Sequence, residues 1–270
     1  MNKELSFVIL CWNSQNEIQE CIDSFVRVCS EEEISYEIIV IDNDSTDSSP
    51  EILKKYSEDN PNILLELLPE NTGTTYSRNL ALKKAKGRYI CILDSDTVFL
   101  KGKIRDVFNY FENNPDVGLA APKLELLDKK IQNSVKQFPT FLEKIFKISP
   151  ILGFGRYYKN DFYKKFPFSE IKAVDTAISA CWFIPKVIIE TVGLLDEKIF
   201  YAPEDLDYCV RVWDSGKKIV YFPHLVIKHK TNQISHNRPF SKVSISHFFG
   251  LIYYFRKHKN WFIRKKVNHS

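Results

Sequence analysis

The chain has 270 residues, 44% hydrophobic and 27% charged, an ordinary globular composition with room for a sizeable core. No apolar run reaches the roughly 18–20 residues needed to cross a bilayer, and the start "MNKELSFVILCW" reads as a short charged lead into a strand, without a signal-peptide pattern. The net charge of +4 divides unevenly: residues 215–270 hold 12 Lys or Arg and no Asp or Glu, against 26 basic and 34 acidic residues before them.

Nothing in the acidic body supports nucleic acid as a partner, whereas a basic, aromatic tail suits an anionic surface, phosphate or membrane. Cys11, Cys21, Cys29, Cys91, Cys181 and Cys209 show no CxxC spacing, and most sit in apolar segments. Reduced core thiols in a cytoplasmic protein are expected, rather than disulfides or zinc.

"LSFVILCW" reads as a strand, and "NEIQECIDSFVRVC" places Ile18, Cys21, Ile22, Phe25 and Val26 on one helical face. "YEIIVID" is a second strand, leading through "NDSTDSSPEILKKY" into a helix with Pro50 in its first turn. "NILLELL" is a third strand, "TYSRNLALKKAK" a helix and "RYICILD" a fourth strand. Strands alternating with helices predict an α/β fold on a mostly parallel sheet, with ligands beyond the carboxyl ends of its strands.

After about residue 115 the pattern changes. "GLAAPKLELLDKKIQNSVKQF" looks like a hairpin turning at Asp128-Lys129, "SPILGFGRYYKNDFYKKFPFSE" like a loop and "AVDTAISACWFIP" like one long strand. "EDLDYCVRVWDSG" is a helix closed by Gly216, followed by strands "KIVYFP" and "LVIKHK". The tail "FSKVSISHFFGLIYYFRKHKNWFIRKK" reads as one or two basic amphipathic helices. No linker or repeat divides the chain, which reads as one domain with a tail.

Asp94 and Asp96 stand two residues apart where a buried strand ends. Two such carboxylates repel unless a positive charge sits between them, and a divalent cation on a nucleotide diphosphate meets that need. A turn or helix cap uses the same residue types, so the tripeptide alone does not decide. Asp42 and Asn43 end the second strand, where they can bond a base or ribose while Ser45, Thr46 or Asp47 caps the next helix. Gly73 allows a turn or close approach, and Arg78 offers a phosphate partner. Glu204, Asp205 and Asp207 open a helix, where acidic residues suit the dipole or, functionally, supply a general base. His229 reads as a third metal ligand or as a structural histidine.

Taken in order, the segments "SFVILCWNSQNEIQECIDSF", "EIIVIDNDSTDSSPEI", "NTGTTYSRNLALKKAKGRYICILDSDTVF", "PKLELLDKKIQNSVKQFPT" and "ISACWFIPKVIIETVGLLDEKIFYAPEDLDYCVRVWDSGKKIVYFPHLVIKH" resemble family 2 glycosyltransferases. These are inverting, nucleotide-sugar-dependent enzymes with the GT-A fold, and the chain looks most like their rhamnosyltransferase-like branch. The resemblance spans about residues 5–229. It implies that Asp94-Ser95-Asp96 is the DxD motif, with Asp94 facing the ribose and Asp96 on a Mn²⁺ or Mg²⁺ ion that His229 closes. It implies that Asn13, Asp42 and Asn43 line the nucleotide pocket, with Gly73, Arg78 and Asn79 near the base and phosphates. Glu204-Asp205 matches the family's ED pair, Asp205 being the base. One departure stands out: members of this branch often carry Gly before the Ala-Cys of "SACWF", where this chain has Ser179, in a segment near the acceptor.

The implied layout is a catalytic domain over 1–239, its nucleotide half 1–100 and acceptor half 101–239, followed by a tail over 240–270. The implied reaction moves a sugar from a UDP-, dTDP- or GDP-linked donor to a hydroxyl of a saccharide or polyprenyl-linked saccharide, in cell-surface polysaccharide synthesis. The tail's Phe248, Phe249, Tyr253, Tyr254, Trp261 and Phe262 are expected at the inner membrane face; packing on the body or a homodimer contact is the alternative. Two other functions compete. A sugar nucleotidyltransferase would need a Gly- and basic-rich phosphate loop where "CWNSQNE" stands, and a non-catalytic nucleotide-sugar-binding module would not need Asp94, Asp96 and Asp205 intact.

Overall fold

In the computed structural model, residues 3–148, 163, 166–230 and 242–269 are described. The four apolar runs of the first third form β1 (Leu5–Cys11), β2 (Tyr36–Asp42), β3 (Ile63–Leu67) and β4 (Tyr89–Asp94). They pair in parallel in the order β3-β2-β1-β4. Their connections are α1 (Ile18–Glu31), α2 (Ser49–Asp59) and α3 (Gly73–Lys84), as the alternating pattern predicts.

The second half continues the same sheet with mixed directions. β5 (Thr97–Lys101) leads to α4 (Ile104–Asn113), which buries Ile104, Val107, Phe108 and Phe111 on one stripe, and then to β6 (Val117–Glu125). After the short β7 (Val135–Lys136) and α5 (Phe141–Ile148) come β8 (Lys172–Ala173), β9 (Thr176–Ala177) and β10 (Cys181–Pro185). The chain ends with α6 (Lys186–Val192), α7 (Glu204–Asp214), β11 (Lys218–His229) and α8 (Lys242–His258). β10 inserts antiparallel between β4 and β6, β11 runs parallel to β6, and β5 pairs antiparallel with β11 at the edge.

Three sequence readings change here. The chain does turn at Asp128-Lys129, where Lys129 has φ 62°. Beyond one bridge, Glu125 to Ile131, it does not return along β6, because β10 and β11 already occupy both edges of that strand. It pairs instead with β9 in a separate two-stranded sheet. The long strand over "AVDTAISACWFIP" is three short pieces, interrupted where the side chains of Asp175 and Ser179 turn to partners away from the sheet. Conversely, "KIVYFP" and "LVIKHK" form the single strand β11. Its register shifts between Phe222 and Val226, which accommodates Pro223, a residue with no ladder donor. The loop reading over "SPILGFGRYYKNDFYKKFPFSE" lies largely outside the described residues.

Successive strand residues face two cores, which is why these strands read as unbroken apolar runs. Phe7, Ile9, Ile38, Val40, Cys91 and Leu93 pack with α1, α2 and α4 on one side. Val8, Ile39, Ile41, Ile90 and Ile92 pack with α3, α6, α7 and α8 on the other. All six cysteines are free and buried. The sheet is therefore packed on both faces up to its rim, where polar residues begin.

The tail is part of the body. α8 buries Leu251, Tyr254 and Phe255, and Gly250 packs so tightly that a Cβ there would stand 2.1 Å from the Ala202 carbonyl oxygen. Tyr254 and Trp261, expected among the membrane-facing aromatics, turn inward, Trp261 stacking edge-on against Phe141. Ile245, Phe248, Phe249, Phe262 and Ile263 stay exposed. Lys257 and His258 reach the fully buried Asp207 at 2.6 and 2.8 Å, and Arg211 bonds its other oxygen at 2.8 Å. Among the described residues no helix is long and apolar enough to cross a membrane.

Burial alone would raise the Asp207 carboxyl, but His258, Arg211 and Lys257 together hold it down at about 2, against an ordinary 3.8. A lowered folded-state value means stability that is present above the unfolded value and lost as pH falls from about 4 towards 2. Asp207→Asn should therefore lower the unfolding free energy by about 2 kcal/mol at neutral pH. Urea denaturation at a series of pH values should show that deficit shrinking on acidification through this window.

Candidate active site

The parallel register sets Asp94 beside Leu10 and Asp42 beside Cys11, so two acidic strand ends flank the end of β1. Beyond it, Asn13 adopts φ 49°, and its side-chain oxygen accepts the Thr46 amide at 2.8 Å. Asp42 accepts the Ser45 amide at 3.0 Å with one oxygen; its other oxygen is buried with no hydrogen-bond partner among the described residues. An orphaned buried acceptor is a vacancy in the bonding pattern that a ligand donor can fill. Asn43 ties the end of β2 to the start of α3, donating to Asn71 and Gly73 and accepting from Thr72. Gly73 has φ +82°, and a Cβ there would meet the Phe200 carbonyl oxygen at 2.2 Å, so the position demands glycine. Ser95 shares a 2.6 Å hydroxyl bond with Ser14.

Antiparallel pairing of β5 with β11 sets His229 opposite Thr97, and the Lys230 amide donates to the Asp96 carbonyl at 2.9 Å. The His229 Nε2 consequently stands 3.3 Å from Asp96 and 3.8 Å from Asp94. One ligand atom from each of the three lies within 4.8 Å of the others. Gln132 fixes the ring: its amide oxygen bonds Nδ1 at 2.8 Å, and since a carbonyl oxygen only accepts, Nδ1 carries the hydrogen. In the neutral ring Nε2 then directs a lone pair at two carboxylates. Burial disfavours the charged ring, but Asp96 and Asp94 outweigh it and raise the imidazole. Two carboxylate oxygens and an oriented imidazole nitrogen facing one point fit a divalent cation such as Mn²⁺ or Mg²⁺. Desolvation also raises Asp94, against the pull of Arg78.

Arg78 is only 2% exposed. Its guanidinium bonds Asp94 through one nitrogen and Glu204 through the other, the latter at 3.2 Å. One buried cation thus joins the end of β4 to the start of α7, residues far apart in the chain. Ser179 donates its hydroxyl to Glu204 at 2.7 Å and accepts from Arg78 at 2.9 Å. Burial and the neighbouring Asp205 push Glu204 up to about 7, against the stabilising Arg78 and Ser179. Asp205 is half-buried, with one oxygen accepting the Leu206 amide at 2.7 Å. Burial and the surrounding acids push the Tyr201 hydroxyl up to about 12.

Asp94, Ser95, Asp96, His229, Arg78 and Glu204 are thus brought to one rim, with Asp205 beside Glu204. Asn13, Asp42, Asn43 and Gly73 border it and shape its backbone. Asn79 is engaged elsewhere: buried, it bonds Leu195 and Glu197 and fastens the loop that leads to α7. Gln132 and Ser14 carry no sequence signal, since a lone Gln or Ser is unremarkable until its partner is known.

A three-layer α/β sheet bearing an Asp-x-Asp turn and a histidine at its carboxyl rim is the GT-A arrangement. Residues 6–192 match the family described as Glycosyl transferase family 2, and the chain belongs to it. It is 38% identical over 122 residues to a poly(ribitol-phosphate) beta-glucosyltransferase of Bacillus spizizenii, covering 44% of this chain and 19% of that protein. To the glycosyltransferase GlyA of Streptococcus pneumoniae it is 23% identical over 229 residues, covering 78% of this chain and 31% of the relative. The chain thus spans less than half the length of these relatives. Among solved structures it superposes on GalNAc-T7 with UDP, GalNAc and Mn²⁺ with a TM-score of 0.70 at 14% identity, covering 94% of this chain and 48% of that one. S. aureus TarS in complex with UDP-GlcNAc superposes with a TM-score of 0.54 at 17% identity, covering 85% and 60%. These two likenesses concern the fold.

Removing the guanidinium leaves two carboxylates without their cation, which for buried pairs costs about 3 kcal/mol or more. Arg78→Met should therefore destabilise the protein by that order in urea unfolding at about pH 8. Because burial and Asp205 push Glu204 up to about 7, its carboxylate takes up a proton on acidification and needs the guanidinium less, so the loss should be smaller at about pH 5.5.

Proposed function

We propose that this chain is a metal-dependent, inverting glycosyltransferase that moves a sugar from a nucleotide diphosphate to a hydroxyl of a cell-surface glycopolymer or its lipid-linked precursor. The observation that carries the reading is the convergence of Asp94, Asp96 and His229 on one point, with Glu204-Asp205 tied to the same rim by Arg78. The UDP named with two of the superposing structures, the poly(ribitol-phosphate) named for the B. spizizenii relative and the minor teichoic acid biosynthesis named for a Bacillus subtilis one support a UDP-linked donor and a cell-wall acceptor. Rhamnosyl transfer has no comparable support. Residues 1–100 are the donor half and 101–239 the acceptor half on this reading.

The chain's residues divide the work. Asp42, with its orphaned oxygen, and the Asn13 and Asn43 turns receive the base and ribose. Asp96, Asp94 and His229 hold the cation, which when bound neutralises charge growing on the departing diphosphate. Asp205, half-exposed at the start of α7, takes the proton of the attacking hydroxyl from the side opposite the leaving group. Glu204 is too enclosed by Arg78 and Ser179 to meet an acceptor and orients its neighbour. The sheet below, packed on both faces, supplies positioning.

Calorimetric titration of UDP, dTDP and GDP with Mn²⁺ or Mg²⁺ tests the donor site, and nucleotide release from the matching sugar nucleotides tests turnover. Asp96→Ala should abolish metal-dependent nucleotide binding. Asp205→Ala should bind normally and lose about 10²–10⁴-fold in turnover. Normal binding and turnover by both variants would overturn the assignment.

We also propose that the protein rests on the inner membrane face through Ile245, Phe248, Phe249, Phe262 and Ile263, the last two 76% and 79% exposed and flanked by Lys and Arg. Deleting the tail would remove core residues, so the informative variant is Phe248→Ser with Phe249→Ser and Phe262→Ser. Flotation with anionic vesicles should be lost in this triple variant and retained by the wild type; equal flotation of both would refute the contact.

A further inference from the structure

Ser179 sits between β9 and β10, on a segment fastened at both ends. The preceding Ile178 amide donates to the Ser134 carbonyl at 2.9 Å, and the following Ala180 carbonyl accepts the Asp94 amide at 3.0 Å. The serine is therefore a fixed post beside the backbone of Asp94 itself. A hydroxyl has one hydrogen to give and lone pairs to receive. Here the hydrogen goes to Glu204 Oε1 at 2.7 Å and a lone pair receives Arg78 Nη1 at 2.9 Å. The Ser179 carbonyl takes a further, longer bond from Arg78 at 3.4 Å.

That hydroxyl closes a small ring. Arg78 Nη1 also reaches the same Glu204 oxygen at 3.2 Å, so serine, guanidinium and carboxylate each touch the other two. The ring stands in a buried setting, where hydrogen bonds to charged groups are strongest and an absent donor is not replaced by water. Arg78 is itself tied to Asp94, but its single 3.2 Å contact to Glu204 leaves that carboxylate free to rotate about its own bonds. The post removes that freedom.

We propose that Ser179 is a positioning residue, its hydroxyl locking the Glu204 carboxylate against Arg78 and so holding the Glu204-Asp205 end of α7 in register with Asp94. This deepens the glycosyl-transfer reading and rests on it. Asp205 is the next residue in the helix, so any rotation of the first turn about Glu204 displaces the group assigned to take the acceptor proton. Small misplacements of reacting groups carry large rate penalties. Of the groups assigned to donor and cation, only Asp94 touches this ring, through Arg78 Nη2, a bond that loss of the Ser179 hydroxyl leaves in place, so donor binding should be unaffected.

The test compares Ser179→Ala with Ser179→Thr, which keeps the hydroxyl. UDP with Mn²⁺, titrated calorimetrically, counts competent sites, and release of UDP from UDP-glucose and UDP-GlcNAc gives turnover per site. Ser179→Ala should bind UDP and Mn²⁺ within about twofold of wild type and leave the donor KM unchanged, while kcat falls about tenfold or more. Ser179→Thr should recover most of that loss. Wild-type kcat in Ser179→Ala, or equal loss in both variants, would overturn the positioning role, as would a fall in competent sites that accounts for all the lost rate. A wild-type protein that releases nucleotide from no UDP-, dTDP- or GDP-linked sugar, or an Asp205→Ala variant as fast as wild type, would remove the glycosyl-transfer reading and this proposal with it.

Discussion

A guanidinium shut away from water is the constraint on which the rest of this site depends. Arg78 bonds Asp94 at the end of a parallel strand and Glu204 at the start of a helix more than a hundred residues later. Buried carboxylates of like sign do not share a rim without a counter-charge, and a buried cation is not tolerated without partners. Each requirement is met by the other. The neighbouring bonds follow from that arrangement: Asn79, one residue after Arg78, clamps Leu195 and Glu197, while Thr74 and Thr75 hold the carbonyls of Phe200 and Ile199. Helix α3 therefore fastens the whole loop that delivers Glu204 and Asp205.

The same loop is held from its other side. Gly250 of α8 lies against Ala202, Tyr253 and Lys257 bond Asp196 at 2.9 and 2.6 Å, and Lys257 with His258 reaches Asp207 one turn into α7. Further along, Arg264 meets Glu143, Lys265 meets Asp214 and His269 meets Asp175. The excess of positive charge after residue 214, which in the sequence resembles a signal for an anionic partner, is answered in good part by the acidic body. What remains for an outside surface is the set of exposed apolar side chains Phe248, Phe249, Phe262 and Ile263 together with the exposed Arg256, Lys259 and Lys266.

Much of the frame was legible because it is local. Runs such as "YEIIVID" and "RYICILD" are long enough, apolar enough and regularly enough spaced from amphipathic helices to declare a parallel sheet buried on both faces. The Asp94-Ser95-Asp96 turn is visible as two carboxylates ending a core strand, and the ordered segments around it, not the tripeptide alone, give it meaning. The second half was less legible because its strands are short and their partners are distant. Nothing in "NSVKQF" says that both edges of β6 are occupied, so a hairpin was the natural reading. Pro223 looked like a strand break, yet β11 absorbs it in a register shift. Asp175 and Ser179 sit in an apolar run, and only their partners show why they interrupt it.

By itself the sequence determined the first four strands, their helices, the carboxylates at the sheet rim and the uneven placement of charge, because each depends on residues within one or two elements. Tertiary structure alone decided that His229 faces Asp96, that Gln132 sets its ring, that Arg78 serves Glu204 as well as Asp94, and that α8 buttresses the loop before α7. These are contacts between groups far apart in the chain. Their existence depends on how strands β5, β10 and β11 pair, and pairing partners are chosen by the packing of the whole sheet rather than by any segment's own composition.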